Sequence, residues 1–226
     1  AESYRKIRNT FRYLLGNIKD NFEEIDFKKV DLNELPELEQ FMLHKLYSLD
    51  VNFKKYFKNY DFHNLYKELL NFCTVDLSAF YFDIRKDSLY CDSIDSKKRK
   101  STILLLNIIL NSLLKWFAPI LSFTTEEIYR LLFKDSKSVH LEKFLNFPNN
   151  FENKKLYQKW LELIKIRNIC NISIEEKRAN KEIGSSLEAD LNIHLDKKLE
   201  EITKNIDFSE LCITSKAQIS FKEKLE

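Results

Sequence analysis

Apolar side chains recur every three or four residues along most of this chain, which is the spacing of amphipathic α-helices. The first such segment covers residues 2–18 and is expected to end near Gly16 and Asn17. At about 100° per residue, its apolar side chains fall on one narrow helical face. They are Ile7, Phe11, Leu14, Leu15 and Ile18. The pattern therefore predicts an N-terminal helix with one face against a core.

The same period predicts five more helices, and residues at their ends indicate where each begins or stops. Asp61 is a suitable N-cap for the third helix, and Thr124 with Glu127 is predicted to form a capping box at the start of the fifth. Pro119 is expected to end the fourth, because proline cannot continue a helical hydrogen-bond ladder. The predicted ranges are 36–57, 62–85, 97–116, 124–133 and 154–179.

The pattern changes in the C-terminal part of the chain. Apolar and polar residues alternate over 187–195, the period of a half-buried strand. Residues 197–206 have a helical pattern, and 211–219 are predicted to form another strand. The expected fold is therefore mainly α, with a helical bundle followed by a small β-α-β C-terminal lobe.

The predicted organisation has three parts. A helical bundle is expected over 1–152, a long basic connecting helix over 153–182, and a small α/β lobe over 183–226. One stretch, 103–121, follows a basic run and is rich in Ile and Leu, as a membrane anchor would be. Because Asn107, Asn111 and Lys115 interrupt it within a span's length, it is predicted to be a central helix of the bundle.

Composition removes several classes of function. The 226 residues include only two glycines, Gly16 and Gly184, so no glycine-rich phosphate loop and no nucleophile elbow can be formed from this sequence. The four cysteines and four histidines are scattered without metal-ligand spacing, so no metal site is expected and the cysteines are expected to be reduced thiols. The net charge is only +2, which means that any nucleic-acid role depends on local basic patches.

Basic residues cluster in two helices. Arg5, Arg8 and Arg12 share one flank of the first, where they suit phosphate binding or, alternatively, a solvated face or internal pairing. In the late helix Arg167 and Arg178 share a flank, which suits RNA contacts or an ordinary solvated face.

Two carboxylates are predicted to lie on an apolar stripe of the third helix. They are Asp76 and Asp83, and at least one is expected to pair with an Arg or Lys inside the bundle, for which an arginine of the first helix is a candidate. Their seven-residue spacing separates them by about 10 Å along a helix, which is wide for a catalytic pair.

Six segments stand in a characteristic order along the chain: 4–10 (YRKIRNT), 12–17 (RYLLGN), 60–63 (YDFH), 76–83 (DLSAFYFD), 118–124 (APILSFT) and 183–189 (IGSSLEA). In this order they resemble the anticodon-binding domain of bacterial-type isoleucyl-tRNA synthetases, which are class I enzymes. The 118–124 segment also resembles valyl and leucyl relatives, whereas 4–10 and 183–189 favour the isoleucyl family.

The chain lacks other parts of that family. The H-I-G-H and K-M-S-K-S motifs of the catalytic core are absent, and we expect them, with an editing domain, before Ala1. A cysteine-rich zinc module is expected after Glu226. The resemblance thus implies a piece of an ATP-dependent isoleucine-tRNA ligase that carries no catalytic, cofactor or metal residue of its own.

The resemblance implies binding of the anticodon stem and loop of tRNA(Ile), which orients the tRNA for a catalytic core elsewhere. The implied partners are tRNA(Ile) and the catalytic and editing domains of the same chain, in a cytoplasmic monomer without membrane association. The predicted RNA-binding residues are Arg5, Arg8, Arg12, Arg167, Asn168, Arg178 and Lys181, with a structural role left open for Arg8. The alternatives are a helical scaffold module, the equivalent valyl or leucyl domain, and an enzyme with an unrecognised site.

Overall fold

The structure is a computed structural model that describes residues 1–18, 20, 22–23, 25–133 and 138–222. Its contacts divide the chain into two compact units, Ala1–Asn153 and Lys154–Glu226, called here the bundle unit and the C-terminal unit. The late helix and the lobe, predicted as separate parts over 153–182 and 183–226, fall within one of these units. Their separation into two domains stays a prediction.

The bundle unit confirms the expected helical architecture. Its α-helices are α1 (Glu2–Ile18), α2 (Glu37–Lys58), α3 (Phe62–Asn71), α4 (Phe82–Tyr90), α5 (Lys97–Phe117) and α6 (Ser122–Leu132). Asp61 caps α3 as predicted, because its side chain accepts a hydrogen bond from the Asn64 N–H. The apolar face predicted for α1 is also observed, with Ile7, Phe11 and Leu14 fully or almost fully buried.

Helix α5 lies at the centre of this unit, in contact with α1, α2, α4 and α6. Of the polar residues that distinguish it from a membrane anchor, Asn107 and Asn111 are buried, and Lys115 is half-buried and pairs with Glu142. The Asn111 side-chain amide donates to the Asn107 carbonyl at 3.0 Å, and the Ser112 hydroxyl donates to the Ile108 carbonyl at 2.7 Å. Among the described residues, no helix combines the length and the apolar character that crossing a membrane would require.

In the region of the predicted third helix, helical residues follow one another without a gap from Phe62 to Tyr90, but their hydrogen-bonding pattern changes. Between α3 and α4, residues Phe72–Tyr81 form a π-helical segment. The i→i+5 bonding of a π-helix widens each turn and changes which side chains share a face. As a result Asp76 is half-buried and Asp83 is exposed, rather than both lying on one buried stripe. The Asp76 carboxylate pairs with Lys45 of α2, so the predicted pairing is confirmed with a partner from α2 instead of α1.

The start of α6 differs from the predicted capping box. The helix begins at Ser122, two residues before Thr124, and no side chain caps it. The Thr124 hydroxyl is hydrogen-bonded to the Tyr4 hydroxyl at 2.9 Å, and the Glu127 carboxylate is paired with Arg8. Both residues of the predicted box therefore bind α1, because tertiary partners replaced the local ones.

The C-terminal unit contains the predicted β-α-β order with different limits. It consists of α7 (Lys154–Ala179), β1 (Asp190–Asp196), α8 (Glu200–Thr203), α9 (Phe208–Cys212) and β2 (Lys216–Lys222). The strands pair in parallel, with Ile193 opposite Ile219. The prediction of a strand over 211–219 was wrong in its first half. Asp207 caps α9 through the Ser209 and Glu210 N–H groups, and Ile213 ends that helix in the left-handed conformation.

A buried ion pair joins distant parts of the bundle unit. Arg85 of α4 donates through Nε and Nη2 to the two carboxylate oxygens of Glu39 in α2, at 2.6 and 2.7 Å. The Tyr81 hydroxyl donates to the same carboxylate at 3.0 Å. Glu39 and Tyr81 are 0% exposed and Arg85 is 3% exposed. Burial, together with the charge of Glu39, raises the pKa of Tyr81 well above its usual value, so the hydroxyl keeps its proton.

Removing one partner of this pair is expected to destabilise the bundle strongly. Arg85→Met keeps the bulk of the side chain but leaves the Glu39 carboxylate buried without its cation, which should lower the free energy of unfolding by about 3–5 kcal/mol. Urea unfolding followed by circular dichroism measures this loss. The double variant Glu39→Leu/Arg85→Met should recover most of it. Lys6→Met, in the exposed pair with Glu2, is the control and should change stability by less than about 0.5 kcal/mol. A loss below about 1 kcal/mol for Arg85→Met would contradict the argument.

Candidate nucleic-acid interface

The arginine ridge of α1 is solvent-exposed at all three positions. Arg5, Arg8 and Arg12 lie on the flank of α1 away from the buried Ile7 and Phe11. Their 3.6-residue helical spacing places the three guanidinium groups along one side of the helix. The structure therefore brings them together as the sequence predicted, within the bundle unit.

Arg8 is held by internal partners. Its Nη1 and Nη2 atoms donate to the two carboxylate oxygens of Glu127 in α6, at 3.2 and 3.1 Å. Nη1 also donates to the Tyr4 hydroxyl at 3.2 Å. The hydrogen bonds with Glu127 raise the pKa of Arg8, and those with Thr124 and Arg8 lower the pKa of Tyr4. This two-point contact ties α1 to α6, so a structural role of Arg8 is supported by geometry.

Arg5 and Arg12 differ from Arg8 in their surroundings. Within the described part of the chain, neither guanidinium has a hydrogen-bond or ion-pair partner. An exposed guanidinium without a carboxylate keeps its five donors available for phosphate oxygens. Arg5 and Arg12, exposed and unpaired as far as the described residues show, therefore flank an arginine whose donors already bind a carboxylate.

Arg167 of α7 is buried, whereas a residue that contacts RNA must be exposed. It is only 6% exposed, and its Nε donates to the backbone carbonyl of Leu211 in α9 at 2.8 Å. A charged side chain in this position satisfies a backbone acceptor and connects α7 to α9 inside the C-terminal unit. Its neighbour Asn168 is exposed.

The two cations in the last turn of α7 are exposed and paired with nearby carboxylates. Arg178 contacts Glu175 at 2.5 Å, and Lys177 contacts Glu182 at 2.6 Å. Exposed pairs of this kind contribute little stability, and a phosphate can displace them at small cost. Arg178 is therefore accessible to a polyanion, although its guanidinium is occupied in the absence of one.

Lys181 occupies a strained position at the C-terminus of α7. Its φ is 59°, in the left-handed region that favours glycine. Its N–H donates to the Arg178 carbonyl and the Glu182 N–H to the Lys177 carbonyl, both at 3.0 Å, which is the Schellman arrangement with Lys181 as the C′ residue. A lysine here is conformationally unfavourable, and its side chain projects from the end of the helix.

Sequence reasoning missed one exposed aromatic residue. Phe123, in the first turn of α6, is 94% exposed. It lies four residues before Glu127, and this i, i+4 spacing puts both on the solvent face of α6. The spacing was readable in the sequence, but the limits of α6 and the burial of Thr124 and Ile128 were needed to identify the face.

Of the four cysteines, Cys91 is exposed and the other three are buried. Burial raises the pKa of the Cys73 thiol to about 12, which suppresses the thiolate needed for nucleophilic chemistry. Cys170 and Cys212 are buried free thiols. Within the described ranges, no three His, Cys, Asp or Glu side chains come together in an arrangement that could hold a metal ion.

The chain is similar to known proteins, both to a family profile and to individual sequences. A family profile described as "Anticodon-binding domain of tRNA ligase" matches residues 39–193. The isoleucine–tRNA ligase of Pelagibacter ubique HTCC1062 is 68% identical over 219 residues. Those of Agrobacterium fabrum C58 and Bartonella henselae Houston 1 are 42% and 41% identical over 216 and 222 residues.

These matches cover nearly all of the chain but a small part of each relative. They span 97%, 95% and 97% of the chain, and 24%, 22% and 22% of the respective relatives. The chain therefore corresponds to about a quarter of the length of the curated relatives that it matches.

Replacing the strained lysine by glycine is expected to stabilise the end of α7. Lys181→Gly removes the steric cost of the left-handed conformation, about 1 kcal/mol. Hydrogen exchange of the amides in the last turns of α7 should slow by about fivefold. Asn180→Gly is the matched control, because residue 180 has no positive φ to relieve and should not become more protected. Faster exchange in Lys181→Gly would contradict the assignment of strain.

Proposed function

Since the chain belongs to the family of anticodon-binding domains of tRNA ligases, we propose that it binds the anticodon stem and loop of isoleucine tRNA. The match of the family profile over residues 39–193 is the observation that carries this proposal. The isoleucine specificity is supported by relatives that are isoleucine–tRNA ligases with up to 68% identity over almost the whole chain.

The proposed biological role is to position a substrate for chemistry that takes place elsewhere. In this proposal the chain is part of an ATP-dependent isoleucine-tRNA ligase that acts as a cytoplasmic monomer. Its catalytic and editing domains, and a zinc module, lie in the same polypeptide outside these residues. Binding of the tRNA at a distance contributes to rate because it holds the acceptor end in a productive orientation.

The proposed RNA contacts follow from exposure and pairing. Arg5, Arg12 and Lys181 supply cations that are exposed, and Asn168 supplies an exposed amide that can contact ribose or a base edge. Arg178 joins them when a phosphate replaces Glu175. Arg8 and Arg167 are assigned to holding α1 on α6 and α7 on α9, because Arg8 binds both carboxylate oxygens of a residue in another helix and Arg167 is buried against the Leu211 carbonyl.

Titration with tRNA tests the function directly. The 226-residue chain should bind an isoleucine tRNA transcript, and affinity should fall steeply between two salt concentrations, because each phosphate contact releases condensed counterions. A transcript with an altered anticodon should bind more weakly at both concentrations.

Two results would contradict the proposal. Binding that is independent of salt would show that phosphate contacts are not involved. If the chain binds neither transcript at low salt, a helical scaffold module would be favoured over an RNA-binding domain.

Two arginine variants distinguish a residue that contacts RNA from one that stabilises the fold. Arg178→Ala should weaken tRNA binding and reduce the salt slope by about 1, with the melting temperature nearly unchanged, because its pair with Glu175 is exposed. Arg167→Ala should lower the free energy of unfolding by about 2–3 kcal/mol, because it leaves the Leu211 carbonyl without its charged donor. Calorimetry and filter binding on both variants provide the comparison. The reverse pattern would show that the two roles are exchanged.

A further inference from the structure

The solvent face of α6 carries an aromatic ring that is almost completely exposed. Helix α6 buries Thr124, Thr125, Ile128 and Tyr129, whereas Phe123 is 94% exposed. Leaving a phenyl ring in water forgoes the stabilisation that its burial would give. A ring held in this way on a regular helix is available to a ligand.

Two contacts fix Phe123 beside the arginine ridge of α1. The Thr124 hydroxyl is hydrogen-bonded to the Tyr4 hydroxyl at 2.9 Å, one residue away from Phe123. One turn further along α6, Glu127 holds the guanidinium of Arg8 by two hydrogen bonds. These contacts place the first turns of α6, and with them the ring, next to the N-terminal half of α1.

The charges around the ring favour a polyanion. Arg5 and Arg12 are exposed and have no partner within the described part of the chain. Tyr4, 38% exposed, adds a second aromatic residue next to Arg5. An exposed aromatic ring beside exposed arginines suits single-stranded nucleic acid, because a base can stack on the ring while the cations contact the phosphate backbone.

We propose that the junction of α1 and α6 is an RNA contact in which an unpaired base stacks on Phe123 while Arg5 and Arg12 bind the neighbouring phosphates. This inference rests on the proposed tRNA binding and adds to it a residue that reads no base identity. Every base presents a π-face, so stacking on Phe123 contributes affinity without sequence preference. The effect of removing the ring should therefore be the same for the isoleucine transcript and for its anticodon-altered variant.

A tryptophan at this position reports the stacking directly. The two native tryptophans, Trp116 and Trp160, are 0% and 4% exposed, so Phe123→Trp adds the one solvent-facing indole among the described residues. Addition of isoleucine tRNA should quench its fluorescence while affinity is retained. Leu141→Trp, at a position that is 81% exposed in the same unit, is the reporter control and should show little quenching.

Truncation of the ring gives the matching energetic test. Phe123→Ala and Phe123→Leu should each weaken binding of both transcripts by the same factor, between about 5- and 150-fold, because leucine keeps apolarity but has no π-face. Leu141→Ala should bind like the wild type. Since Phe123 is exposed, the melting temperature of both Phe123 variants should match that of the wild type.

The outcomes distinguish the two proposals. Failure of the wild-type chain to bind tRNA would overturn the proposed function and this inference with it. If the wild type binds and Phe123→Ala binds equally well, or if the Phe123→Trp signal does not change on binding, only the stacking contact is overturned. Retained binding by Phe123→Leu together with loss in Phe123→Ala would show an apolar protein-type contact, and would likewise overturn base stacking.

Discussion

The arrangement of the bundle unit depends on keeping a buried carboxylate paired. Glu39 is completely buried and is neutralised by Arg85, which lies 46 residues further along the chain. An unpaired charge at this depth would be strongly destabilising, so α2 and α4 must pack in the one alignment that joins them. Tyr81, at the end of the π-helical segment, completes the pair with its hydroxyl. The wide π turns thus place Tyr81 and Arg85 where both side chains bind the Glu39 carboxylate.

Pairing of charged side chains also occurs at the surface, where it determines which cations remain available to a ligand. Carboxylates hold Arg8 and Arg178, and the Leu211 carbonyl holds the buried Arg167. Arg5 and Arg12 are left exposed, without a partner in the described ranges. A chain with a net charge of only +2 can therefore present local positive surface where exposed cations cluster, as Arg5 and Arg12 do on α1.

Much of the local structure was predictable because it depends on near neighbours. The limits of α1, α2 and α7 follow from the apolar period, and the cap at Asp61 from one side chain three residues from its donor. The family was also readable from short segments in order, and the profile match over residues 39–193 confirms it. The predicted box at Thr124 and Glu127 failed because both side chains found partners in α1.

The sequence by itself determined the helical class, most helix limits, the β-α-β order of the C-terminal lobe and the family. Only the tertiary structure decided that Arg167 is buried, that Arg8 is clamped by Glu127, and that Phe123 faces solvent. The physical reason is how far apart along the sequence the interacting residues lie. A helical period is set by residues three and four apart, whereas Arg8 and Glu127 are 119 residues apart and meet only after the bundle has packed. Whether a polar side chain is available to RNA or is bound within its own protein therefore depends on such long-range contacts.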